Sequence, residues 1–308
     1  MNNYKRILFI LIKLLIVVGA IYFLVEKLVS NKLLSFEQFT AQLSLVFATS
    51  IWYFLIVLVF TDANWILEIF KWKKLASIEK KISFFDAYKQ CFASLTASII
   101  TPNRIGEYGA KALYFKKGTR KKIVLLNFIG NISQLTITVL FGILGIVFLL
   151  NKYSFKHPEV NFLKIILIVL IVVIAIFILK KFKFFKIGHY LKTISAKIYF
   201  EIISLSFLRY VFFSHQFLLL LFIFGVNIDY FTAINLVFCM YFIASIIPSL
   251  AIFDWVIKGS IAVWLFSFVG INELTILTIT TLMWILNFAI PALIGSIFVL
   301  NFKLIKSE

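Results

Sequence analysis

The sequence has few acidic residues, few cysteines and few prolines, and it contains no long polar stretch. Its 308 residues include 13 Asp and Glu against 31 Lys and Arg, and 62% of the residues are hydrophobic while 14% are charged. No segment is long and polar enough to form a separate soluble domain. A soluble enzyme with a hydrophobic tail is therefore excluded, and the apolar runs along the whole chain indicate a polytopic membrane protein.

The sequence also has few residues that could form disulfides or bind metal ions. The cysteines, Cys91 and Cys239, both lie in apolar segments, which argues against a disulfide framework or a metal cage. The histidines are scattered and lack the spacing of metal ligands. We therefore expect neither a metal site nor a cofactor.

The net charge of +18 comes largely from lysines and arginines in short loops between apolar runs. In a soluble protein this charge would suggest nucleic acid, but positive loops on the cytoplasmic side of a membrane explain it more simply. The basic loops lie near residues 5–6, 71–81, 116–122, 180–197 and 303–306. They predict cytoplasmic N and C termini and no nucleic-acid partner.

Long apolar runs predict helices that cross the bilayer, because roughly 20 residues at a rise of 1.5 Å span the hydrocarbon core. The run after Lys5 and Arg6 is too long for a typical signal peptide and is interpreted as a retained span. About six full spans are predicted, at residues 7–25, 44–66, 123–150, 163–179, 199–224 and 275–300.

Two further apolar stretches, residues 83–115 and 230–269, are each interrupted by a proline and by charged residues. The loops on both sides of the first stretch are basic, so this stretch is predicted to enter and leave the membrane on the cytoplasmic side. The links around the second stretch are predicted to be external. Both stretches are therefore predicted to be re-entrant helical hairpins whose tips are surrounded by protein.

Opposed broken elements in the two halves of a chain are typical of inverted-repeat transporters with a site near the membrane midplane. The predicted fold is an all-α polytopic membrane protein with about six full transmembrane helices and two oppositely oriented re-entrant helical hairpins. It forms one transmembrane domain, residues 1–308, and its pseudo-repeat halves cover about residues 1–150 and 151–308.

The two hairpin tips share a short pattern, in which a proline is followed by isoleucine, an acid, an aromatic residue, a lysine and a small residue. Pro102 and Pro248 are predicted to break the hairpins, because proline lacks an N–H and ends the preceding helix. Gly106 is predicted to allow close packing at the first break. A half-helix that begins after each proline directs its positive dipole end into the membrane interior, which favours anions.

Within each pattern the acid and the lysine are four residues apart and can pair on one helix face, Glu107 with Lys111 and Asp254 with Lys258. Arg104 then stays free to hold a phosphate in the bidentate manner of a guanidinium. A charge at the centre of a spanning helix costs about 2.5–3.5 kcal/mol, which argues for a function. The alternative is that the charges pin the hairpins together, Glu107 to Lys258 and Asp254 to Lys111.

Other polar residues inside the predicted spans have two interpretations each. Arg209 lies deep in its span, two turns before Gln216, and serves either a structural hydrogen bond or a substrate phosphate. The core span that precedes it in the chain carries a polar stripe, which either forms hydrogen bonds between helices or lines a site for a headgroup. The stripe consists of Asn127, Asn131 and Gln134.

Three segments together resemble the flippase-like transmembrane domain of lysylphosphatidylglycerol synthase and its stand-alone relatives. They are the Thr-Pro-Asn-Arg-Ile-Gly-Glu-Tyr run at residues 101–108, the second proline motif at 248–259, and a closing span with Gly295 and with Pro291, which predicts a kink. The likeness covers nearly the whole chain. The second motif departs from the family, because the stretch 250–255 replaces its pair of glycines and its glycine-valine-arginine-glutamate run.

The resemblance implies a domain that moves a lipid with a polar headgroup between leaflets. It does not imply aminoacyl transfer, because the soluble synthase domain of the family would need a long polar region after the spans. The leading hypothesis is a bacterial inner-membrane protein, not an enzyme, that moves a phospholipid or a lipid-linked precursor through a polar cavity between the hairpins. Energy would come from a gradient, the membrane potential or a partner, because the sequence has no nucleotide-binding motif.

Each candidate residue has a role in this hypothesis. Arg104 and Lys111 would hold the phosphate, and Glu107 and Asp254 would balance or contact the headgroup. Lys258 and Arg209 would receive the lipid as the cavity opens to the other side. The alternative is a non-transporting accessory subunit of a lipid- or glycan-modifying cell-envelope enzyme. The expected partners are the lipid substrate and either a second copy of the chain or such an envelope enzyme.

Overall fold

The computed structural model describes residues 36–49, 51–99, 101, 104–152, 190–247 and 254–303, together with a few positions between 11 and 22. Within these ranges the chain is helical and contains no strand, so the all-α fold class is confirmed there. The first part forms α1 (Phe36–Thr49), α2 (Ile51–Ala76), α3 (Phe84–Ser98), α4 (Ile105–Leu113) and α5 (Arg120–Lys152). The second part forms α6 (Ala196–Ile223), α7 (Tyr230–Ile246), α8 (Asp254–Ser267), α9 (Glu273–Trp284) and α10 (Ile290–Leu300).

Four helical segments in these ranges are long and apolar enough to cross a membrane, namely Trp52–Ala76, Lys117–Lys152, Ala196–Ile223 and Glu273–Leu300. The predicted spans at 123–150, 199–224 and 275–300 coincide with three of these segments, with small shifts at their ends. The predicted span at 163–179 lies outside the described residues, and most of the one at 7–25 does too.

The predicted span at 44–66 was placed too early in the chain. In the structure α1 ends at Thr49, and α2 runs on to Ala76. Helix α2 continues past Glu68 and Lys71 because their side chains are buried against protein, with relative exposures of 8% and 2%. Hydropathy treats every side chain as if it faced lipid, so it ends the span before the group of charges that begins at Glu68. Lys71, predicted to lie in a cytoplasmic loop, is therefore a buried residue.

The outer faces of the long helices are apolar. Trp52 and Val59 of α2, Leu140 and Leu144 of α5, and Phe200 of α6 are all more than half exposed. Continuous apolar surface of this kind is unfavourable in water and is suited to lipid. Together with the long apolar helices, it identifies a multi-pass membrane protein.

The two interrupted stretches each fold into a pair of short helices. Residues 83–115 contain α3 and α4, which pack against each other, and residues 230–269 contain α7 and α8, which do the same. Ser83 and Asp229 cap the starts of α3 and α7 with their side-chain oxygens. The helices of each pair separate close to Pro102 and Pro248, and both prolines lie outside the described residues.

The start of α4 is tightly built. Arg104, the residue before the helix, has a φ of 58°, in the left-handed region that residues other than glycine rarely adopt. A Cβ added to Gly106 would lie 2.7 Å from the carbonyl oxygen of Ala97 in α3. This approach fits the close packing predicted for Gly106.

The two helix pairs pack reciprocally against the long helices. Helix α3 packs on α10, which follows the second pair, and α7 packs on α5, which follows the first pair. Glycines make both contacts close, because a Cβ at Gly295 would lie 2.1 Å from the carbonyl oxygen of Phe92, and one at Gly145 would lie 2.7 Å from that of Asn235. The helices that precede the pairs, α2 and α6, pack on each other.

Candidate functional site

A cavity of about 400 Å³ lies among helices α2 and α5 to α9 and the residue that precedes α4. Its charged and amide lining residues come from both halves of the chain: Asn64, Arg104, Gln134, Arg209, Asp254, Lys258 and Asn287. The rest of the wall is largely aromatic and aliphatic. A space with charged groups on part of its wall and apolar groups on the rest suits an amphipathic ligand.

Four of the predicted site residues, Arg104, Arg209, Asp254 and Lys258, therefore meet around one cavity. The other two, Glu107 and Lys111, stand outside this described lining and are buried on α4. The roles assigned to all six residues stay predictions. Lys111 is the clearest departure from the hypothesis, because its ammonium group is enclosed by protein and cannot reach a phosphate in this conformation.

The first motif contains the ion pair that its spacing predicts. Lys111 Nζ lies 2.7 Å from Glu107 Oε1 and donates to Asn127 Oδ1 at 2.8 Å. It also lies 4.4 Å from the centre of the Trp72 ring, a cation–π contact. Arg104 was predicted to be free of Glu107, and this is wrong, because its Nη2 lies 3.3 Å from Glu107 Oε2. The carboxylate serves both cations, since each of its oxygens faces a different one.

The second motif is paired in the same way and is more open. Lys258 Nζ lies 2.6 Å from Asp254 Oδ2, and both side chains are about one third exposed. The alternative pairing across the hairpins, Glu107 with Lys258 and Asp254 with Lys111, is contradicted by these contacts. Each hairpin neutralises its own acid, because a partner four residues away on the same helix is closer than any across the cavity.

A second buried charge cluster, not predicted from the sequence, is centred on Glu68 of α2. Glu68 Oε2 lies 2.7 Å from Lys71 Nζ and 2.8 Å from Arg209 Nη1. Arg209 Nε also donates to Asn64 Oδ1 at 2.9 Å. Asn64, Glu68 and Lys71 recur every three or four residues, so their shared helix face was visible in the sequence once α2 was known to continue.

Amide side chains extend this cluster across the cavity wall. Asn64 Nδ2 donates to Asn287 Oδ1 at 2.8 Å, and Asn287 Nδ2 donates to Gln216 Oε1 at 3.0 Å. Gln216 in turn donates to Thr61 Oγ1 at 2.7 Å. The chain links α2, α6 and the last span. Arg209 thus has the structural hydrogen bonds that were one of its predicted roles, and it also lines the cavity, which its other predicted role requires.

Asn287 reaches the cavity from a π-helical turn, Ile285–Ala289, that lies between α9 and α10. Pro291 follows this turn and has no N–H to donate to the carbonyl of Asn287, four residues earlier. The irregularity predicted at Pro291 therefore takes the form of a wider turn. Such turns are frequent at functional sites because they redirect a side chain out of the regular helical pattern.

The polar stripe on α5 makes contacts between elements. Asn127 binds Lys111, Asn131 donates to the Tyr108 hydroxyl at 2.9 Å, and Gln134 donates to the Ser206 carbonyl oxygen at 3.4 Å. These contacts fit the interpretation in which the stripe forms hydrogen bonds between helices. Gln134 also lines the cavity, so the lining interpretation holds for that end of the stripe.

No group of three or more potential metal ligands among His, Cys, Asp and Glu occurs in the described ranges. Cys91 and Cys239 are free and buried. The polar side chains of the described cavity wall include cations, a carboxylate and amides.

The fold and the site define the class, a multi-pass helical membrane protein with a charged cavity lined by residues from both halves of the chain. The chain belongs to the family described as lysylphosphatidylglycerol synthase TM region, whose model matches residues 10–295. The match covers nearly the whole chain and confirms the resemblance found in the hairpin motifs. No curated protein and no solved structure matches the chain significantly.

Proposed function

We propose that this protein is a flippase-like transporter that moves a polar-headgroup phospholipid, or a lipid-linked precursor, between the leaflets of a bacterial inner membrane. The observation that carries the proposal is the meeting of Arg104, Arg209, Asp254 and Lys258 around one cavity. Charges at membrane depth are costly and usually mark a pathway for a polar substrate. Family membership supports the proposal, since the family is associated with membrane lipid modification.

The reciprocal packing supports a mechanism of alternating access. In the proposal, residues 83–115 and 230–269 enter the membrane from opposite faces, and the halves 1–150 and 151–308 are inverted repeats. Rocking of one half against the other would open the cavity first to one leaflet and then to the other. The headgroup would travel through the charged part of the cavity while the acyl chains stay in the lipid.

Lipid scrambling in liposomes tests the transport step. Purified protein is reconstituted with a fluorescent phospholipid, and wild type is compared with Arg104→Ala and Glu107→Gln. The matched control is Lys117→Ala, which removes an exposed cation from the turn before α5. We expect both site variants to lose most of the protein-dependent movement and the control to keep it. Equal movement in all of these samples, at the level of protein-free liposomes, refutes transport.

Thiol labelling tests the proposed orientation independently. In a background without Cys91 and Cys239, single cysteines replace exposed loop residues on each side of a helix pair. Lys80→Cys and Lys117→Cys flank the first pair, and Asn227→Cys and Glu273→Cys flank the second. An impermeant reagent should label the first two from the cytoplasmic side and the last two from the opposite side. Labelling of either pair from different sides contradicts the re-entrant hairpins.

A second candidate function follows from the ion pairs. Glu107 and Asp254 each have a lysine partner, and Glu68 has two cations, so every carboxylate of the site is neutralised within the protein. This is the arrangement expected of an accessory subunit whose charges maintain the fold. Such a subunit would bind a cell-envelope enzyme and would move no lipid in the liposome assay.

A further inference from the structure

We infer that the cavity selects a lipid whose headgroup carries a phosphate and no compensating ammonium, so that the ligand is a net anion. The inference rests on the proposed function and names its substrate class. It follows from the excess positive charge of the cavity and from its neutralised carboxylate, and the unpaired donors of the wall support the phosphate.

The charge around the cavity is not balanced. The lining contains three cationic side chains, Arg104, Arg209 and Lys258, and one carboxylate, Asp254. Behind the lining, Glu107 and Glu68 face Lys111 and Lys71 as well as the two arginines. Among the described residues that form the lining and its ion pairs, cations therefore exceed acids by two. Excess positive charge enclosed by apolar walls is stabilised by an anion.

Two unpaired donors belong to residues of the cavity wall. Arg104 Nε and Trp284 Nε1 are buried without a hydrogen-bond partner in the described structure, and both residues line the cavity. Trp284 is 7% exposed, so bulk water does not satisfy its N–H. A buried donor without an acceptor is destabilising, whereas phosphate oxygens accept several hydrogen bonds at once. The indole N–H can only donate, so it distinguishes an acceptor group from an ammonium.

An ammonium group, by contrast, finds no uncompensated acid. Asp254 is the acid of the described lining, and Lys258 Nζ, 2.6 Å from its Oδ2, neutralises its charge. Gln134 Oε1 is an unpaired acceptor at the cavity, but it carries no formal charge and suits a hydroxyl group. A zwitterionic or aminoacylated headgroup would have to bury its positive charge among cations, which is unfavourable.

The apolar part of the wall indicates that the phosphate belongs to a lipid. Phe213, Phe217, Met240 and Phe288 line the same cavity as the charged groups. Apolar contacts of this kind strengthen the binding of a ligand with an acyl chain and do nothing for a free phosphate ester. A lipid therefore binds more tightly than its soluble headgroup.

Lipid binding to the purified protein in detergent tests the inference, with native mass spectrometry as the readout. The probes are phosphatidylglycerol, phosphatidylcholine and phosphatidylethanolamine with identical acyl chains, and soluble glycerol 3-phosphate. We expect phosphatidylglycerol to bind at least about tenfold more tightly than either zwitterionic lipid, the ratio that one charge-assisted hydrogen bond supplies. Equal affinities for the three lipids overturn the inference. Binding of glycerol 3-phosphate as tight as that of phosphatidylglycerol overturns a lipid ligand.

Variants locate the selectivity in the cavity. Lys258→Gln removes a cation and frees Asp254 for an ammonium, so the preference for phosphatidylglycerol should fall by about tenfold. Trp284→Phe removes one donor to the phosphate, a group that all three phospholipids share, so it should weaken their binding alike and leave the selectivity unchanged. Lys117→Ala, on the exposed turn, should change neither. Thermal unfolding midpoints show that each variant is folded, and unchanged selectivity in the folded Lys258→Gln protein overturns the assignment.

The binding assay separates this inference from the proposed function. If the protein binds phosphatidylglycerol selectively but moves no lipid in liposomes, the anion-selective site is supported and the transport function is refuted. Movement of all phospholipids at equal rates sustains the transporter and refutes the selectivity.

Discussion

Replacing Glu68 by glutamine should strongly destabilise the protein, although the contact between Glu68 and Arg209 was not visible from the sequence. The substitution keeps the size of the side chain and removes the carboxylate that lies 2.7 Å from Lys71 and 2.8 Å from Arg209. Arg209 retains Asn64 and opens onto the cavity. Lys71 is 2% exposed and would be left as a buried cation without a counterion. Breaking a buried ion pair in this way costs about 3–5 kcal/mol.

A second substitution tests the reason for that loss. Lys71→Met removes the cation that lacks a counterion and puts an apolar side chain in its place. The double variant, Glu68→Gln with Lys71→Met, should therefore lose about 0.5–3 kcal/mol less unfolding free energy than the sum of the two single variants. Unfolding by SDS in mixed micelles, followed by tryptophan fluorescence, measures these free energies. The reasoning is refuted if Glu68→Gln unfolds within about 0.5 kcal/mol of wild type, or if the two substitutions are additive.

Further predictions concern packing and pH. Gly295→Ala places a methyl group 2.1 Å from the Phe92 carbonyl oxygen, so α3 and α10 must separate, at a cost of about 1–3 kcal/mol in SDS unfolding. Gly109→Ala is the matched control, because a Cβ there meets nothing within 4 Å, and it should be neutral or stabilising by up to about 1 kcal/mol; equal losses in both variants would contradict the close packing. The backbone N–H and the hydroxyl of Thr232, which donate to Asp229, lower the pKa of that carboxyl group, and Lys152 adds to the effect. The folded state therefore favours the carboxylate, and this contribution is present above the usual aspartate pKa of about 4 and is lost as the pH falls through the lowered value. Asp229→Ala should be less stable than wild type at pH 7, with a gap in thermal midpoint that narrows on acidification, and a gap independent of pH would contradict the assignment.

The sequence predicted those features in which a residue's environment depends on its neighbours along the chain. The spans at 123–150, 199–224 and 275–300 were placed nearly correctly, because long apolar helices have one stable location. The pairs Glu107–Lys111 and Asp254–Lys258 were also predicted, since residues four apart share a helix face. Hydropathy failed at residues 44–66, because the extension of α2 depends on polar side chains that other helices bury.

Glu68 and Asn287 show what the sequence could not supply about the site. Glu68 was unremarkable in the sequence because its partner Arg209 lies on another helix far along the chain. Asn287 reaches the cavity because Pro291 widens the preceding turn, and its partners are on α2 and α6. Neither contact can be predicted from neighbouring residues, because each one joins helices that are far apart along the chain.

The sequence by itself determined that the chain is an all-helical membrane protein, which stretches are broken by proline, and which acid and lysine pair within each broken stretch. These properties depend on hydropathy and on the period of the helix, and both are local. The tertiary structure decided that Arg104, Arg209, Asp254 and Lys258 meet at one cavity, that Lys71 and Lys111 are withdrawn from it, and that its unpaired groups are mainly donors. Those outcomes arise where separate helices bury each other's polar faces, and burial of that kind is a property of the packed molecule.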